Sequence, residues 1–129
     1  MDLPNIQNNN LSAFLNRADI IQATADQIIK DFGTFGIEIN FSGKTENAYC
    51  ELHEQLIRQI SVYDQKGHDR LLSVLYQVDI TEREIAKAAH DLPHYNNIEI
   101  LAHQIIFREL KKVLFRRYYK SKPDQDSAI

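Results

Sequence analysis

The spacing of apolar positions divides the chain into helical stretches and one extended stretch. From 98 to 119, in IEILAHQIIFRELKKVLFRRYY, Ile98, Leu101, Ala102, Ile105, Ile106, Leu110, Val113 and Leu114 recur at steps of mostly three and four. That is the period of one α-helix face, and no Pro or Gly interrupts it. Asn96 and Glu99 have the form of a capping box, with Tyr95 and Ile100 as a hydrophobic staple. At about 1.5 Å per residue such a helix is about 33 Å long. Its apolar band is broad, which predicts a central helix contacted from several sides.

Four more helices follow from the same period. Residues 11–32 carry Leu11, Phe14, Leu15, Ala18, Ile21, Ala25, Ile28, Ile29 and Phe32, with Asn10 as cap and Gly33 as a left-handed terminator. Thr45 caps a helix over 46–65, with Tyr49, Leu52, Leu56, Ile60 and Tyr63 inward and Gly67 after it. Asp69 caps a short helix through 78 bearing Leu71, Leu72, Leu75 and Tyr76. Thr81 and Glu84 form a capping box for a helix over 82–90, with Ile80 and Ile85 as its staple. The expected core is Phe14, Leu15, Ile21, Ile28, Leu52, Leu56, Leu72, Leu75, Ile85, Leu101, Ile105 and Ile106.

Between the first two helices the period changes to two. Phe35, Ile37, Ile39 and Phe41 alternate with polar residues or Gly, the signature of a strand near 35–41. No second strand of this quality exists to pair with it. Its backbone must therefore lie over the bundle, join the N-terminal arm, or pair with another molecule. A strand edge protected only by Glu38 is a template for pairing, so Phe35, Ile37, Ile39 and Phe41 are the expected self-association strand of a homodimer.

Composition narrows the class. The 129 residues suit one domain, 1–129, with loose ends at 1–9 and 121–129. Only 4 Gly and 3 Pro favour helices over a turn-rich β fold, and a net charge of −3 carries no global signal for nucleic acid or membrane. The single cysteine, Cys50, excludes an internal disulfide and suits a reducing compartment. The start lacks the features of a signal peptide, and no apolar run is long enough to span a membrane. A cytoplasmic protein is expected.

Candidate chemistry is sparse. Ser42-Gly43-Lys44-Thr45 matches the last half of a phosphate-binding loop, but Glu38 stands where the pattern needs its first Gly. A turn before a capped helix accounts for it. Cys50 and His53 lie on one helix face, with His90 and His94 flanking Leu92-Pro93, residue types that suit zinc. Only one closely spaced pair of ligands is present, and whether the four converge depends on the fold. As nucleophile and base, Cys50 and His53 lack an orienting group or an oxyanion hole at recognisable spacing. Glu82 and Glu84 are accounted for as first-turn acids. The remaining signal is the basic end of the last helix, where Arg108, Lys111, Lys112, Arg116, Arg117, Lys120 and Lys122 alternate with Phe115, Tyr118 and Tyr119. Such a pattern can neutralise phosphates and stack on bases, or dock on an acidic protein, or simply end a solvated helix.

These readings converge on a mainly α, single-domain bundle of about five helices with one extended segment near 35–41. The expected function is a non-enzymatic protein-interaction or regulatory domain, with no cofactor and no metal site. The expected partner is another protein or a second copy, not a membrane. The alternative is nucleic-acid binding through Arg108, Lys111, Lys112, Arg116, Arg117, Tyr118, Tyr119 and Lys120. A weaker alternative is a helical domain that binds a small molecule or a metal.

Overall fold

The computed structural model describes residues 6–15 and 17–120, which form a helical bundle: α1 (Leu11–Phe14), α2 (Ala18–Gly33), α3 (Ala48–Lys66), α4 (His68–Val78), α5 (Glu82–Asp91) and α6 (Asn97–Lys120). α6 packs against α2, α3, α4 and α5. Its middle is buried on nearly every side, from Ile100 through Leu114, which is what its broad apolar band requires. The main core joins Ile21, Ile28 and Phe32 of α2 to Leu52, Leu56 and Ile60 of α3 and to Ile105, Ile106 and Leu110 of α6. A second, smaller cluster of Ala88, Leu92 and Ile100, with Ile85 and Tyr95 against it, fastens α5 to the start of α6.

Both capping boxes form. Thr81 Oγ1 accepts from the Glu84 N–H while the Thr81 N–H reaches Glu84 Oε1, and Asn96 and Glu99 exchange the same pair of bonds at 2.8 and 2.9 Å. The Tyr95–Ile100 staple is present in the smaller cluster. Around the Thr81 box, Ile80 packs on the main core and Ile85 on the smaller one.

The helix expected over 11–32 is broken. Leu15 and Ile21 are both buried, but six residues apart they cannot share one helix face. Arg17 takes an extended conformation as the new N-cap, re-phasing the apolar stripe and leaving Ala18 exposed. Gly33 is not the left-handed terminator. It stays in α2, and Gly36, at φ 75°, reverses the chain while the Ile37 N–H bonds to the Phe32 carbonyl. α3 begins at Ala48 after a left-handed Asn47, so Thr45 is not its cap. α4 follows Gly67 directly, starting at His68 before the expected Asp69 cap. Leu72, expected in the core, is 50% exposed, because α4 turns Leu71, Val74 and Val78 inward instead.

The segment 35–41 is extended as expected, but no β-strand occurs among the described residues. Ile37 and Ile39 are buried in the main core, and Phe35 and Phe41 pack against it half-buried. Three α3 side chains spaced four residues apart take the place of a partner strand. The Gln59 side-chain amide donates to the Glu38 carbonyl at 3.3 Å. Gln55 accepts from the Asn40 N–H at 2.8 Å and donates to the Asn40 carbonyl. Glu51 takes both the N–H and the Oγ of Ser42 at 2.8 Å. The apolar face and one backbone edge of this segment are therefore used within the chain.

Of the ends expected to be loose, 1–5 and 121–129 fall outside the described residues. Residues 6–9 are held in place: Ile6 packs on the core and Asn8 is 6% exposed.

Candidate functional site

Asn8, His53, His103 and Gln104, four of the polar residues that the fold buries, gather where α3, α6, the loop before α6 and the N-terminal segment meet. On α3, Tyr49 and His53 are one turn apart and face α6. On α6, His103 and Gln104 interrupt the apolar band, at 2% and 3% exposure. The capping box at Asn96 places Tyr95 beside them, so that His53 stacks between Tyr49 and Tyr95 at centroid distances of 5.0 and 5.1 Å.

A hydrogen-bond chain runs through this cluster. Tyr95 Oη lies 3.2 Å from Tyr49 Oη, which lies 2.6 Å from His103 Nδ1. His103 Nε2 and Gln104 Nε2 both contact Asn8 Oδ1, at 3.2 and 3.0 Å, and Asn8 Nδ2 donates to Asp91 Oδ2 at 2.9 Å. The bond to the Asp91 carboxylate fixes the orientation of the Asn8 amide. Asn8 Oδ1 therefore accepts, the His103 proton sits on Nε2, and Nδ1 accepts from the Tyr49 hydroxyl. Burial, helped by His53, depresses the imidazole to about 4 from an ordinary 6.5, so it is neutral at neutral pH. Burial and the Tyr95 hydroxyl raise Tyr49 above its ordinary range. Asp91 is lowered, first by the Asn8 bond, then by His90 and Lys87. Each proton along the chain has one place to be.

The chain ends at a cleft. A cavity of about 510 Å³ lies between residues 6–9, α5 and α6. Asn8, Asp91 and Gln104 line it along with Glu84, Lys87, Phe107 and Lys111. Its size falls in the range of small-molecule sites. A shallower hollow of about 320 Å³, bounded by Asn8, Tyr49, His94 and Tyr95, lies at the other end of the chain.

The basic end of α6 is largely turned onto the protein. Arg108 pairs with Asp79 at 3.0 Å, Lys112 with Glu109 at 3.1 Å and Arg117 with Asp19 at 2.7 Å. Arg116 reaches Gln27 at 3.4 Å, and Lys111 lies over the Phe115 ring. Tyr118 and Tyr119 pack edge to face, and Tyr119 and Lys120 are exposed.

The zinc-type residues scatter. Cys50 is exposed, whereas His53, one turn on, is buried and bonds through Nε2 to the Glu99 carbonyl at 2.9 Å. His94 packs on Tyr95, and His90 faces Asp91. No group of three or more His, Cys, Asp or Glu converges on one point among the described residues. At Ser42-Gly43-Lys44-Thr45, the N–H and hydroxyl of Ser42 are bound by Glu51, which sets a carboxylate against this turn.

Part of this site could have been read from the chain. His103 and Gln104 are polar residues inside an apolar helical band, the signal of buried polarity. Asn8 carries no such signal, lying in a polar, Asn-rich stretch. No family model matches the chain, nor does any curated protein or solved structure. Among the described residues no helix is long and apolar enough to cross a membrane.

Proposed function

We propose that the protein is a non-enzymatic regulatory domain that works by binding, and that a small polar molecule in the cleft between residues 6–9, α5 and α6 is its ligand. The observation that carries this reading is a polar wall of the cavity: Asn8 and Gln104 line it, both nearly fully buried, and Asn8 Oδ1 is bonded to Gln104 and to the buried His103 behind it. Burying amides and an imidazole costs free energy that an apolar core would not. A surface that must present fixed donors and acceptors to a ligand repays that cost. Acid–base catalysis is poorly served here. A base depressed to about 4 and a phenol raised above its ordinary range are both far from neutral pH.

Native mass spectrometry after incubation with a small-molecule extract of cells tests the proposal. The parent retains a small-molecule adduct that Gln104→Leu loses. Adduct-free parent spectra, or an adduct unaffected by the substitution, would contradict it.

A second reading, a protein-docking face, is favoured by α4. Leu72 at 50% exposure and Tyr76 at 89% stand one turn apart, and tyrosine is enriched at interface hot spots. Nucleic-acid binding is less well supported, because three of its expected cations already have acidic partners within the chain.

A further inference from the structure

The α2–α6 interface contains a second buried polar pair, separate from the cleft. Glu109 of α6 is fully buried and Asp31 of α2 is 4% exposed. Asp31 Oδ1 accepts from Gln27 Nε2 at 3.0 Å. Asp31 Oδ2 and both Glu109 oxygens have no aligned hydrogen-bond partner, and Lys112 Nζ, 3.1 Å from Glu109 Oε1, contributes charge without alignment. Two carboxylates left in this arrangement would repel in a poorly solvated interior. A single proton resolves it. A Glu109 O–H donating to Asp31 Oδ2 satisfies an oxygen on each side and removes one of the two charges. We propose that Glu109 and Asp31 form a proton-held clasp between α2 and α6, closed while they share a proton and loosened when it leaves.

The surrounding charges favour a transition at mildly alkaline pH. Burial and Asp31 push Glu109 up to about 8, against the opposing pull of Lys112. On α6, Arg116 reaches the pair only through Gln27 Oε1, and Arg108 is drawn away to Asp79 at the end of α4. From α3 the titratable groups facing α6 are Tyr49 and His53, beside His103 and Glu99. They lie about 9 Å or more along the helix from Glu109. From α5, Lys87 and Asp91 border the cleft with Gln104 and Lys111. Among the described residues Lys112 is thus the one cation touching the pair, too little to hold two carboxylates ionised. The folded state keeps a proton that the unfolded chain has released, so the clasp contributes most at acid pH and is lost as pH rises through about 8. The clasp lies beside two further contacts that hold the end of α6 to α2, Arg117 to Asp19 at 2.7 Å and Arg116 to Gln27 at 3.4 Å.

The test combines carboxyl-carbon NMR with denaturation. In the parent protein the Glu109 carboxyl carbon should titrate near pH 8, and the urea midpoint should fall between pH 6.5 and 9. Glu109→Gln, which keeps the shape and supplies a permanent N–H donor, should flatten that fall. Titration of Glu109 in the ordinary carboxylate range would overturn the proposal, as would the same fall in midpoint in Glu109→Gln. If the variant does not fold, the parent's carboxyl titration alone decides.

Discussion

Replacing Tyr49 with Phe removes one oxygen from the middle of the buried chain and leaves the ring that stacks on His53 in place. The lost hydroxyl is the donor to His103 Nδ1 at 2.6 Å. His103 is only 2% exposed, so water cannot replace that donor without opening the packing. An unpaired buried acceptor costs about 1–3 kcal/mol. Tyr95 also loses a contact at 3.2 Å, but Tyr95 is only half-buried and its hydroxyl can turn to solvent, adding about 0.5 kcal/mol or less. Tyr49→Phe should therefore destabilise the fold by about 2 kcal/mol, and Tyr95→Phe by well under half as much. Urea denaturation at pH 7.5, above the window in which His103 titrates, measures both. In a Tyr49→Phe, His103→Phe double-mutant cycle, the two substitutions should couple by about 1 kcal/mol or more. Equal costs for Tyr49→Phe and Tyr95→Phe, or additive effects in the cycle, would refute the directional chain.

Two smaller predictions concern local structure. Thr81→Ala removes the cap bonds at the start of α5 and should cost about 1 kcal/mol in a denaturation series; an unchanged midpoint would contradict it. Gln55→Ala removes the two bonds that hold Asn40 and should cost about 1 kcal/mol, with faster amide exchange at Asn40. Exchange unchanged at Asn40 would mean that the α3 side chains do not hold the extended segment.

The two buried titratable sites act on stability in opposite senses. His103 binds fewer protons folded than unfolded. Its contribution is complete above about pH 6.5 and drains away as pH falls toward about 4, a change worth roughly 3 kcal/mol. Glu109 binds more protons folded than unfolded, so its contribution is lost as pH rises through about 8. Between about 4.5 and 6.5 the two slopes offset each other.

Helix existence was legible in the apolar period because packing on a central helix demands it. Both capping boxes were legible because their chemistry is local. The break after Leu15 was not legible, because Ala18 fills the step from Leu15 to Ile21 and the stripe reads as continuous; only the re-phasing at Arg17 turns Ala18 outward. On α4, Leu71 and Leu72 are equal candidates for the interior, and only the approach of α6 and α2 decides between them. The support of 35–41 was hidden for a different reason. A strand period announces a need for hydrogen bonds, but side chains such as Glu51, Gln55 and Gln59 can meet it as well as a second strand. The site was least legible, because Asn8, Asp91 and His103 lie far apart in the chain and meet only through tertiary packing.

A neutral, one-way hydrogen-bond chain through His103 backs Asn8, which lines the proposed binding cleft. The most direct measurement is the imidazole nitrogen NMR spectrum of His103 across pH. The chain predicts a neutral ring with its proton on Nε2 at pH 7, still unprotonated at pH 5.5. A proton on Nδ1, or a ring that titrates near its ordinary 6.5, would contradict it.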